Sequence, residues 1–136
     1  MKLKIITQER IVFDSEADEI YTRGIDGEFG LLKGHVPVMA ALDIGVTRVK
    51  TGNTMQMFTT MGGILQFKND ECLILTNTAE AGDEIDELRA KEALDRAKKR
   101  LKEAKARIDA KRAEAAVARA EARLKAKLGN QAHISE

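Results

Sequence analysis

The chain has 136 residues, 43% hydrophobic and 33% charged, which excludes both a large multidomain enzyme and a disordered segment. Its 23 basic and 22 acidic residues leave a net charge of +1, so bulk charge offers no reason to expect a polyanion partner. The average conceals a division: residues 1–82 carry 8 Lys/Arg against 11 Asp/Glu, whereas residues 83–136 carry 15 against 11. Nine of the ten glycines, the single proline Pro37 and all five aromatic residues lie in the first part. Turn formers and aromatics belong to sheets, and a long glycine-free stretch rich in Ala, Lys, Arg and Glu belongs to helices. The fold class read from this is α+β with two domains, an antiparallel β domain over 1–82 and a two-helix domain over 83–136.

In chain order, Lys2 to Thr7, Ile11 to Phe13, Ala17 to Thr22, Ile44 to Lys50, Met55 to Thr60, Ile64 to Phe67 and Cys72 to Thr76 are short β-favouring runs. Turns are expected at Gly24 to Asp26, Thr51 to Asn53 and Lys68 to Asp70, which together suggest a sandwich or a barrel. Cys72, the only cysteine, reads as a small core residue. No segment approaches the run of about 18 apolar residues that spans a membrane, so the expectation is a protein without direct membrane insertion.

Between the third and fourth runs, the segment Asp26 to Pro37 sets glycines around Glu28, Phe29, Leu31 and His35. It reads either as a structural loop or as a rigid loop that presents a contact surface. Catalysis has little support. There are two histidines, no Gly-x-Ser-x-Gly, no phosphate-binding Gly-x-x-x-x-Gly-Lys-Ser/Thr and no Cys/His ligand spacing.

From Ile85 onward, Ala90, Leu94, Ala97, Leu101, Ala104 and Ile108 recur at the spacing of a helix seam, and after a five-residue step Ala113, Val117, Ala120, Leu124 and Leu128 resume it. Two antiparallel helices, about 84–107 and 111–128, are predicted, with a turn around Asp109 to Arg112, Asp83 as the first N-cap and Gly129 as the end of the second. An alanine seam buries little apolar area, so the hairpin should be weakly held. One position before the seam run two mostly basic stripes, Arg89, Ala93, Arg96, Arg100, Glu103 and Arg107 on the first helix and Arg112, Ala116, Arg119, Arg123 and Lys127 on the second. Facing along one edge, they are either a solvated basic surface or a site for a phosphate-bearing ligand. Nucleic acid fits less well, because no aromatic residue follows Phe67 to stack on bases.

Gly27-Glu28-Phe29-Gly30-Leu31-Leu32-Lys33-Gly34-His35-Val36-Pro37 and Gly62-Gly63-Ile64-Leu65, ahead of an alanine-rich hairpin, closely resemble the epsilon subunit of bacterial F-type ATP synthases. The resemblance implies a β-sandwich on the rotor that holds the gamma subunit and the c-ring, with Asp26, Glu28, Phe29, Leu31 and His35 in the loop facing the c-ring. It implies a noncatalytic subunit of the central stalk, acting in proton-driven ATP synthesis at the cytoplasmic face of the cell membrane as a peripheral component. The hairpin would extend toward the beta and alpha subunits to inhibit ATP hydrolysis. Ile85-Asp86-Glu87-Leu88-Arg89-Ala90 looks like the motif with which Bacillus-type members bind ATP on the folded hairpin. Glu80, Ile85, Asp86, Arg89, Ala90, Arg96, Arg119 and Arg123 stand at the matching places, with ATP as a regulatory ligand that favours the folded, non-inhibitory state. Whether Mg²⁺ accompanies it stays open, since no acid pair shows metal-ligand spacing.

Overall fold

The computed structural model describes residues 1–135, with side chains described through Gly129. The strands are β1 (Lys2–Ile6), β2 (Ile11–Glu16), β3 (Glu19–Gly24), β4 (Gly27–Leu32), β5 (Val38–Thr51), β6 (Thr54–Lys68), β7 (Glu71–Leu75) and β8 (Ala79–Ala81), followed by helices α1 (Glu87–Glu103) and α2 (Arg107–Ser135). The strand order is β2-β1-β7-β6-β5-β3-β4, with β8 also on β6, and only β1 and β7 run parallel.

One hydrogen-bonded sheet becomes two layers because its longest strands change neighbours part-way. The first half of β6 carries β8 at Phe58 to Thr60 and the second half carries β7 at Ile64 to Lys68. Gly62 and Gly63 stand between, with φ of 76° and 115°. A Cβ on Gly63 would lie 2.0 Å from the Leu75 carbonyl oxygen, so only glycine lets the strand turn there. The expected separate runs at 55–60 and 64–67 are therefore one strand bent at this glycine pair. Folding the sheet over buries Leu3, Ile5, Ile20, Leu31, Val49, Leu65, Phe67 and Ile74 in a single cluster. Cys72 is in that cluster, 2% exposed, and burial pushes its thiol up to about 12. Three buried threonines link the neighbouring strands β3, β5 and β6 without a polar deficit: Thr47 Oγ1 lies 2.8 Å from Thr22 Oγ1 and 3.1 Å from Thr60 Oγ1.

The segment expected to be a loop from Asp26 to His35 is instead strand β4 with a turn at each end, paired with β3 from Gly24↔Gly27 to Glu19↔Leu32. Its glycines serve the sheet. Gly30 makes room for the Tyr21 ring, which a Cβ would approach to 2.8 Å, while Gly27 takes positive φ at the first residue of the strand and Gly34 in the turn after it.

The hairpin is present, with boundaries shifted from those the seam suggested. The first helix starts at Glu87 rather than 84, because Asp86 and not Asp83 accepts the Arg89 N–H and caps it, Asp83 lying in a 3-10 turn at Gly82–Glu84. The turn falls at 104–106, not 109–112, and Asp109 sits in the first turn of α2, where a carboxylate complements the helix dipole. Ile108 is consequently 61% exposed and leaves the seam. Gly129 does not end α2, which continues to Ser135. The helix passes so close to β6 there that a Cβ on Gly129 would meet the Met57 sulfur. The part of the helical domain expected beyond Gly129 has no described side chains.

A second apolar cluster docks the hairpin on the sandwich: Val46 and Met61 from the sheet, with Ile85, Ala90, Ala122 and Ala126. Ala122 and Ala126 give α2 an additional buried face that the seam pattern did not show.

Candidate functional site

Where the hairpin meets β8, a cleft of about 400 Å³ is lined by Glu80, Glu84, Ile85, Asp86, Arg89, Ala90, Ala93, Arg96 and Arg123. The local sequence explains each position. Glu80 is held on β8 by its N–H, which donates to the buried Thr59 Oγ1 at 3.0 Å. Ile85 and Ala90, 4% and 3% exposed, belong to the docking cluster and provide an apolar floor. Arg89 and Arg96, two turns apart on α1, share one face. Their side chains make no ion pair or hydrogen bond among the described residues.

Two of the expected ligand groups already have structural roles. Asp86 Oδ1 accepts the Arg89 backbone N–H at 3.1 Å as the α1 cap. Arg123 Nε donates to Glu80 Oε1 at 2.9 Å, fastening α2 to the sandwich. Glu84 is turned to Arg10, 3.1 Å away. The cleft therefore offers free guanidinium groups, an apolar floor and carboxylates at its edge. That donor set suits an anionic ligand with an apolar, hydrogen-bonding end.

The structure brings together Glu80, Ile85, Asp86, Arg89, Ala90, Arg96 and Arg123, and leaves Arg119 outside. Arg119 is one turn before Arg123 and lines the next cleft along the hairpin. Among the described residues no group of three or more His, Cys, Asp or Glu could hold a metal ion.

The five residues expected to form one contact loop are spread along β4. Asp26 lies in the turn before it and His35 in the turn after it. Asp26 and Glu28 are exposed, and Glu28 is 3.9 Å from Lys125 on α2. Phe29 packs against the core, and Leu31 is fully buried, so it presents nothing to a partner. His35 is exposed, its Nδ1 2.7 Å from the Val36 carbonyl oxygen and its ring edge-on to Phe67 at 6.0 Å. The exposed apolar groups of these turns are Ile25, Leu32 and Val36.

A larger surface escaped the sequence reading. Ala41, Ile64, Leu75, Ile6 and Ile11 are paired in register across β5, β6, β7, β1 and β2. They form an outward apolar row, with Ile64, Leu75 and Ile11 each about half exposed. Its signal was present as apolar residues on the solvent phase of several strands, but it needs the strand order to become a patch.

Residues 1–82 match the family model described as ATP synthase, Delta/Epsilon chain, beta-sandwich domain, and residues 83–127 match ATP synthase, Delta/Epsilon chain, long alpha-helix domain. Among curated relatives, the ATP synthase epsilon chain of Gloeothece citriformis is 44% identical over 101 residues, covering 74% of this chain and 73% of that one. The ATP synthase epsilon chain of Anoxybacillus flavithermus is 38% identical over 101 residues, covering 74% and 75%. Among solved structures, a chain of the Euglena gracilis mitochondrial ATP synthase superposes with a TM-score of 0.80 at 24% identity, covering 93% of this chain and 79% of that one. A chain of the Tetrahymena thermophila mitochondrial ATP synthase gives 0.65 at 13%, covering 93% and 96%. At those identities the structures speak for the fold. The family models and the curated relatives carry the assignment: the chain belongs to the ATP synthase delta/epsilon chain family.

Proposed function

We propose that this chain is the epsilon-type subunit of a bacterial F-type ATP synthase rotor, in which the sandwich docks on the gamma subunit and the c-ring while the hairpin switches with bound ATP. Family membership supports the first part, together with the apolar row across five strands, a surface of the kind that a permanent partner covers. In this reading gamma covers that row, the turns flanking β4 face the c-ring, and the chain sits as a peripheral subunit at the cytoplasmic face of the membrane. Among the described residues no helix is long and apolar enough to cross the membrane.

The observation that carries the switching reading is the cleft of Arg89, Arg96 and Arg123 against Glu80 and Asp86 at the seam between hairpin and sandwich. ATP placed there gives Arg89 and Arg96 the oxygen partners they lack, and an acceptor-rich rim for its amino and hydroxyl groups. A ligand touching α1, α2 and β8 together stabilises the folded hairpin by mass action. When ATP falls, the alanine-based docking lets the helices leave, extend toward beta and alpha, and block hydrolysis. The chain itself supplies no catalytic machinery in this scheme. Mg²⁺ would enter with the nucleotide, and the arginines can neutralise phosphate without it.

Calorimetry of the chain with ATP tests this. Binding is expected for the natural sequence and a loss of about tenfold or more for Arg89→Ala and Arg96→Ala, each of which gives up charge-assisted bonds. Equal heats for all three would overturn the sensor.

A further inference from the structure

The hairpin groove continues past the cleft at β8. Nearer the helix turn, a second cleft of about 540 Å³ is lined by Arg100 and Glu103 of α1 and by Asp109, Arg112 and Arg119 of α2, over a floor of Ala104, Ala113 and Ala116. The side chains of Arg100 and Arg119 make no ion pair or hydrogen bond among the described residues. Arg112 has only Asp109, 4.0 Å away and well exposed, a pair with little hold in water. Unpartnered guanidinium groups on two packed helices raise the energy of the closed hairpin unless an anion lies between them.

We propose that this distal cleft is a second oxyanion subsite that takes the phosphate groups of an extended inorganic polyphosphate chain. The ligand class follows from what lines the cleft. Three forked guanidinium groups match phosphate oxygens, while an alanine floor without aromatic residues offers nothing for a nucleobase to stack on. Continuity with the first cleft favours a chain over a single ion. Arg89, Arg96 and Arg100 lie on one stripe of α1, and their eleven-residue span corresponds to about 16 Å of groove. The proposal shares the hairpin edge with the ATP reading but does not need the nucleotide to bind.

The probe is sodium tripolyphosphate, titrated into the full chain by calorimetry at moderate salt. Beside the natural sequence stand Arg100→Gln/Arg112→Gln and, as a control of equal charge loss away from the cleft, Lys98→Gln/Lys99→Gln. All these positions are exposed, and far-UV circular dichroism checks that the helices persist; single substitutions replace any double variant that unfolds. Tripolyphosphate is expected to bind the natural chain, with a loss of about tenfold in the arginine variant and within about twofold in the lysine control. ATP affinity should survive in the arginine variant. Absence of tripolyphosphate binding, or equal weakening in the two double variants, would overturn the subsite. An Arg89→Ala chain that binds ATP as the natural chain does, while Arg100→Gln/Arg112→Gln alone weakens tripolyphosphate, would sink the nucleotide sensor and leave this subsite standing.

Discussion

The Glu80–Arg123 ion pair is the clearest place to test how the hairpin is held. It joins β8 to α2 at 2.9 Å, with the two side chains 37% and 32% exposed. A hydrogen bond between charged groups contributes about 1.5–3 kcal/mol when sheltered, and an exposed ion pair about 0–1. At one-third exposure about 1 kcal/mol is the appropriate size, which changes an opening equilibrium by about fivefold. The rest of the docking surface is thin. Ala90, Ala122 and Ala126 each bury little more than a methyl group, worth about 0.8 kcal/mol apiece, and among the described residues the large side chains the hairpin segment places there are Ile85 and the partly buried Leu124. A loss of 1 kcal/mol should therefore be visible as opening of the hairpin alone. In a double-mutant cycle of Glu80→Ala and Arg123→Ala, followed by amide hydrogen exchange without nucleotide, α2 amides should exchange about fivefold faster in either single variant. The coupling energy should be about 1 kcal/mol and should shrink in molar salt. A coupling near zero, or equal acceleration of the amides of β1 and β7, would refute the claim that this pair fastens a separately opening unit.

Other substitutions probe the sandwich and its surfaces. Gly63→Ala forces a side chain into the Leu75 carbonyl at φ 115° and should cost at least about 2 kcal/mol, lowering Tm by about 5 °C or more; an unchanged Tm would contradict the bend. Tyr21→Phe removes the 2.7 Å hydrogen bond that is the largest cause of Glu19's lowered pKa, the Lys50 ammonium being the next. Glu19 has a folded pKa below the unfolded value, so its contribution is present above pH about 4.5 and fades as pH falls through the depressed value. The stability gap between Tyr21→Phe and the natural chain should narrow on acidification, and a pH-independent gap would remove Glu19 from the account. Leu75→Glu breaks the apolar row at a half-exposed position, so the chain should keep its Tm within about 1–2 °C while its complex with gamma weakens on gel filtration. Undiminished association would place gamma elsewhere.

The sequence disclosed the two chemistries of the chain because turn formers, aromatics and glycine-free periodicity act locally. It misread what depends on partners distant in the chain. Gly30 looked like a loop glycine, and its reason is the Tyr21 ring lying over it from the next strand. Leu31 looked available for contact, and pairing of β4 with β3 turns it into the core. The hairpin turn was displaced because the seam is so rich in alanine that nearly every residue of the connection could extend it. Asp109, a good cap residue, proved equally at home inside the first turn of α2. The cleft was the most legible site, since Glu80, Ile85 to Ala90, Arg96 and Arg123 are tied to helix phase and to the end of β8. Arg119 shares that phase but stands one turn farther along the groove, a distance that periodicity alone does not convert into membership of one site or another.

A weak seam and a row of unpaired arginines belong to one design. Were the seam leucine throughout, each buried side chain would add about 1.5–3 kcal/mol and the proposed dependence of the folded state on a ligand in the groove would be lost. Were the arginines absent, the docking cluster would still favour closure, but the groove would offer a phosphate-bearing ligand nothing to bind and the proposed switch would have no input. A ligand can shift an equilibrium only by its differential affinity for the two states. The groove, built from both helices and β8, exists as a unit only when the hairpin is folded. The +1 of the whole chain conceals this, because the charges that matter cancel in the sum while standing on one edge of the fold.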